Sequence, residues 1–140
     1  MLVSSVCQNN TDCVGVAKLA NTVYVTNTSL QAPRNYIPLE KEIWERFLLD
    51  LKADKDFILS LKQILREAQK KRNLSMFAQF ISASQDDRPQ GFITKLTYLD
   101  KQVEFTTSEI DKFVEGVCNN EFEFDALPET SSVEYKIKAA

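Results

Sequence analysis

The chain of 140 residues is 44% apolar and 26% charged, the balance of an ordinary globular protein. Its 17 basic and 20 acidic side chains leave a net charge of -3, which excludes a polycationic surface for long nucleic acid. With no histidine, the commonest general base and neutral metal ligand are missing, so histidine-dependent triads and the usual zinc hydrolase sites are excluded as well.

A chain of this length buries roughly two thirds of its unfolded surface, enough for a core without metals or disulfides. Nine Phe, four Tyr and one Trp supply the large apolar pieces. Cys7, Cys13 and Cys118 are an odd set in a chain that is not cysteine-dense, so reduced cysteines are expected. The start at Met1 has no basic region or long hydrophobic segment, and no run approaches the roughly 20 apolar residues that cross a bilayer. The expected location is the cytoplasm, where the glycosylation patterns at Asn9 and Asn27 carry no meaning.

Along the chain, residues 13–19 and 22–28 are β-favouring runs separated by Ala20-Asn21, which predicts a hairpin. Asn27 to Arg34 is polar, and Tyr36-Ile37-Pro38-Leu39 reads as extended. Helical spacing of Ile43, Trp44, Phe47, Leu48 and Leu51 follows, with Glu40, Glu42 and Glu45 at the end where negative charge is favourable. A second helix is predicted from near Asp56 to about Arg72, on Ile58, Leu61, Leu65 and Ala68, broadened by Phe57 and Ile64. Leu74 to Ile81 reads as a strand and the polar Ser82 to Gln90 as a loop. Phe92 to Leu99 and Lys101 to Phe105 read as two strands turning at Asp100, whose edges need covering. Thr106-Thr107-Ser108-Glu109 is a capping-box signature, and Ile110, Phe113, Val114 and Val117 give the helix its apolar stripe up to about Asn119-Asn120. Phe122, Phe124 and Leu127 are placed to pack back on that helix.

Ile37 to Leu51 and Val103 to Val117 match by residue type at one offset: Ile37 with Val103, Leu39 with Phe105, Trp44 with Ile110, Phe47 with Phe113, Leu48 with Val114, Leu51 with Val117. The expected fold class is therefore α+β, with short antiparallel strands packed against amphipathic helices in a pseudo-symmetric tandem repeat. The corresponding division is a first strand–helix unit over 1–55, a helical connector and extended segment over 56–82, a second unit over 83–128 and a polar tail over 129–140.

Ser4-Ser5, Cys13-Val14-Gly15-Val16-Ala17, Val23-Tyr24-Val25-Thr26-Asn27, Trp44 and Phe47 together resemble a small uncharacterised actinobacterial domain family often found beside helix-turn-helix regulators. Val103-Glu104-Phe105-Thr106, Glu109, Phe113-Val114, Gly116-Val117 and Glu121-Phe122 resemble it a second time. Asn27-Thr28 departs from the Arg-Asp-Ser-like strand ending of that pattern, and the second copy lacks the cysteine strand. The resemblance implies a regulatory protein partner, such as a helix-turn-helix regulator, and a packing role for Cys13.

Trp44, Phe47 and Phe113 are the candidate interaction anchors, because rigid aromatic side chains bury large area at low entropic cost; the same stripes also suit an internal packing face. An alternative is a nucleic-acid-associated regulator using Lys62, Arg66, Lys70, Lys71 and Arg72, in which Lys62 and Arg66 share a helical face. A third reading is a small-molecule site in a concavity between the two units. Three cysteines without histidine offer no recognised metal-ligand spacing, and Asp86-Asp87 and Glu121 to Asp125, which match no complete calcium loop, are expected to be solvated. No P-loop, dinucleotide fingerprint or nucleophile elbow is present. No cofactor or metal is expected, and the reading is a non-enzymatic regulatory or scaffold-like interaction module that contacts no membrane and can pair as a homodimer.

Overall fold

The computed structural model describes residues 2–5, 7, 13–28, 35–53, 71–88 and 91–130, with the backbone alone at 71–75, 87–88 and 91–92. It is an α+β structure with two antiparallel sheets and two helices among those residues. Strands β1 (Val14–Leu19), β2 (Thr22–Asn27) and β3 (Tyr36–Glu40) form a three-stranded meander that runs into helix α1 (Lys41–Ala53). Strands β4 (Lys71–Phe77), β5 (Ile81–Arg88), β6 (Gly91–Tyr98) and β7 (Lys101–Thr106) form a four-stranded meander that runs into helix α2 (Thr107–Cys118).

The period of two in each strand decides which side chains meet. In the first sheet Val16, Val25 and Ile37 form one cross-strand row, and Val23 lies beside Leu39 in the next. In the second sheet Ala83, Leu96 and Val103 form a row, with Gln85, Thr94 and Phe105 beside it. All of these residues are buried. Asn27 Nδ2 donates to the Glu104 carbonyl oxygen at 2.9 Å, tying β2 to β7, and β3 also lies against β7. Helices α1 and α2 pack on each other and on the inner rows, so both sheets and both helices contribute to one hydrophobic core.

Local chemistry explains both helix boundaries of α2. Thr106 Oγ1 accepts from the Glu109 N–H at 3.2 Å and the Glu109 carboxylate accepts from the Thr106 N–H at 2.7 Å, closing the expected capping box. At the other end Asn120 takes a positive φ of 61°, its N–H bonds to the Val117 carbonyl, and the Glu121 N–H bonds to the Gly116 carbonyl. That pair of bonds is a Schellman ending in which asparagine replaces the usual glycine.

The predicted helix from Asp56 to about Arg72 lies outside the described residues, except that Lys71 and Arg72 open β4. Two expectations are corrected. The predicted strand from Leu74 to Ile81 is interrupted: Ala78 to Phe80 form a turn and Ile81 begins β5. The predicted loop from Ser82 to Gln90 is β5 as far as Arg88, because β4 and β6 satisfy its backbone on both sides. The second sheet begins at Lys71, within the span read as connector and extended segment. The first residues of the expected tail, Glu129 and Thr130, continue from Pro128 along β1, since the Lys18 N–H donates to the Pro128 carbonyl and the Thr130 N–H to the Lys18 carbonyl.

Candidate functional site

The three aromatic anchors are interior residues. Trp44 is 0% exposed, Phe47 1% and Phe113 2%. Trp44 and Phe47 from α1 meet Phe113 from α2 at ring-centroid distances of 6.4 and 6.3 Å, with Phe77 and Phe122 completing the cluster. The indole N–H of Trp44 donates to the Phe122 carbonyl at 3.0 Å, which satisfies its one polar atom inside the core. These rings hold the helix pair together and present no surface to a partner. Their helical spacing reports burial, and burial inside one chain or against another has the same pattern.

Of the basic set, Lys62, Arg66 and Lys70 lie outside the described residues. Lys71 and Arg72 occupy the start of β4, so they do not extend a helical face with the others. The acidic groups are engaged. Asp86 pairs with Lys95 at 2.7 Å and is largely covered, whereas Glu121, which accepts from Ser5, Glu123, which pairs with Lys52, and Asp125 keep the solvent exposure expected of them. Hydrogen bonds from the Ser5 side chain and backbone hold the Glu121 carboxyl below the usual glutamate range. Among the described residues no group of three or more His, Cys, Asp and Glu side chains is placed to hold a metal ion.

The cysteines also differ from expectation. Cys7 and Cys13 are joined in a disulfide across a Cα separation of 6.5 Å, while Cys118 is a free, exposed thiol at the end of α2. A sequence separation of six does not decide whether the two cysteines pair, and only the approach of the N-terminal segment to β1 does.

Besides Leu99 in the β6–β7 turn, three large apolar residues among those described are exposed, and none belongs to a helical stripe. Leu49 is 60% exposed on α1, Met76 61% on β4 and Phe80 53% in the following turn. The Ala78 N–H donates to Asp50 Oδ2 at 2.6 Å, and Asp50 is also held by Arg46, so the turn between β4 and β5 is fastened to the helix beside Leu49. Leu49 is legible as an apolar residue off the Trp44–Phe47–Leu48–Leu51 stripe, and Met76 as the outward partner of Phe77 in strand alternation.

An open cleft of about 360 Å³ lies at the approach of the two meanders, lined by Asn35, Tyr36, Asp100, Lys101 and Gln102. Tyr36 is buried, stacked edge-on to Tyr24 at a centroid distance of 5.2 Å, and burial followed by the charge of Tyr24 pushes its phenol above the usual value. The remaining lining comes from strand ends and a turn, and offers amide, carboxylate and ammonium groups for hydrogen bonding. Inside the second sheet, neighbouring Gln85 and Thr94 are buried without hydrogen-bond partners for their side chains among the described residues. No described helix is long and apolar enough to cross a membrane. Comparisons with family models, with curated proteins and with solved structures returned no match for this chain.

Proposed function

We propose that the chain is a non-enzymatic regulatory or scaffold-like protein-interaction module of the cytoplasm, composed of two strand–helix units in pseudo-symmetric tandem. The observation that carries the reading is that Leu49 on α1, Met76 on β4 and Phe80 in the following turn are each more than half exposed, on elements that the Ala78–Asp50 hydrogen bond joins. Apolar side chains held out on a helix, a strand and an anchored turn gain affinity from burial against a partner without first having to order the backbone that carries them. Glu42, Glu45 and Arg46 on the outward side of the same helix supply charge for selecting that partner. The aromatic cluster of Trp44, Phe47 and Phe113 acts as the rigid support. The partner in this reading is a protein, either a helix-turn-helix regulator, as the family resemblance implies, or a second copy of the chain. The nucleic-acid alternative rests on the composition of residues 62–72 alone.

The test is native mass analysis of gently recovered, tagged protein beside a Leu49→Ser/Phe80→Ser variant. Wild type is expected to carry a stoichiometric protein partner or to dimerise, and the variant to lose that association with its melting temperature unchanged. A wild-type protein that is monomeric and alone in repeated recoveries overturns the reading.

A further inference from the structure

We propose that the Cys7–Cys13 bond is a redox-operated fastener for an N-terminal strap, and that its reduction frees the strap while the folded core stays in place. It rests on the cytoplasmic location of the reading above and not on its interaction surface.

The two cysteines sit on opposite sides of one junction. Cys13 belongs to the body: its N–H donates to Thr28 Oγ1 at 3.0 Å and its carbonyl accepts the Thr28 N–H at 2.9 Å, which fixes it where β1 begins beside the end of β2. Cys7 belongs to the strap, its N–H closing a turn onto the Ser4 carbonyl at 2.9 Å. The strap crosses from one half of the molecule to the other. Leu2 exchanges two backbone bonds with Val16, at 2.8 and 2.9 Å, along the outer edge of β1. Ser5 donates through its N–H and its hydroxyl to the Glu121 carboxylate just past α2, at 2.8 and 2.7 Å. Ser4 rests on Gly116, where a Cβ would come within 2.9 Å of its hydroxyl oxygen.

The Leu2 bonds lie at a sheet edge and the Ser5 bonds on an exposed carboxylate, where water competes for them, while Ser4 and Cys7 are buried between these two points. The strap contributes Leu2 only at the margin of the core, whereas both sheets and both helices meet inside it. The disulfide closes a short loop, so it restrains the strap locally and leaves the long-range ordering of the sheets to the core. In a reducing compartment a disulfide with this arrangement acts as a sensor rather than a staple.

The chemistry is exchange with a dithiol. One reductant thiolate attacks a cysteine sulfur and breaks the S–S bond, and the second reductant thiol resolves the mixed disulfide. The reductant is oxidised to its own disulfide while Cys7 and Cys13 take the two electrons and two protons as thiols.

Hydrogen exchange read by mass spectrometry tests the proposal on the full chain as oxidised protein, as protein treated with dithiothreitol, and as a Cys7→Ser/Cys13→Ser variant. Reduction is expected to speed exchange roughly tenfold or more in the strap and at the Val16 amide, with α1, α2 and the second sheet unchanged. The variant should show the reduced pattern without reductant. Alkylation should find Cys118 alone in the oxidised protein and, after reduction, Cys7 before Cys13, which is 2% exposed and held by Thr28. Unchanged strap protection on reduction overturns the proposal, as does loss of protection throughout the chain, which marks a structural staple. Three reactive thiols under oxidising conditions also overturn it.

Discussion

Gly116 shows how a single residue is decided by its neighbours. Within a helix, glycine to alanine normally gains about 1 kcal/mol. Here the added Cβ would meet Phe122 Cε2 at 2.7 Å, and that ring is 0% exposed and enclosed by the aromatic cluster. Gly116→Ala is therefore expected to destabilise by about 1–3 kcal/mol in denaturant unfolding, against the propensity trend. Trp44→Phe removes the donor to the Phe122 carbonyl and should cost about 1–3 kcal/mol by the same measurement. Gln85→Met should act in the opposite sense, gaining about 1–2 kcal/mol, because a buried amide without partners is exchanged for an apolar side chain of similar length. Glu121 introduces a pH dependence. Its pKa is lowered by the Ser5 bonds, so the unfolded chain binds its proton first as pH falls. The contribution is complete above the ordinary glutamate value of 4.5 and is lost as pH falls through the depressed one. Glu121→Gln should flatten that acid limb of the unfolding midpoint. The capping box was fully legible at this scale, because Thr106 and Glu109 act within one turn of chain. The clash at Gly116 was not, because it joins the helix to a residue that returns after the Schellman turn.

At the scale of elements, the hairpin turns carry strain that sequence patterns understate. Ala20 and Leu99 each open a two-residue turn with φ of 53° and 55°, a region that costs residues with a Cβ about 1 kcal/mol or more. Leu99 is 74% exposed, so Leu99→Gly loses no packing and should raise stability by up to about 1 kcal/mol. The turn from Ala78 to Phe80 has two such residues, Ala78 and Gln79, and there the bond from Ala78 to Asp50 fixes the conformation. Strand β5 explains the largest misreading of an element. Its inward residues are Ile81, Ala83 and Gln85, so the alternation is present but, after Ile81, carried by a small and a polar side chain. Propensity favours a loop there, and two flanking strands override it.

The whole molecule unites its two meanders around one core, in which Trp44 of the first half bonds to the Phe122 carbonyl of the second. Unfolding should thus be a single cooperative transition with coincident far-UV and tryptophan signals, and a fragment of residues 1–55 should not fold alone. Two separated transitions would show independent units instead. What the sequence determined by itself was local: the first hairpin, the approach to α1, both amphipathic helices, the β6–β7 hairpin and the box that starts α2. Each is written within a few residues, in alternation, helical spacing or capping chemistry. The tertiary structure alone decided which stripes face inward, where the N-terminal segment lies, and that Cys7 meets Cys13. It also decided that Leu49, Met76 and Phe80 remain outside, because an apolar side chain is equally suited to its own core and to a partner until the other elements have taken their places.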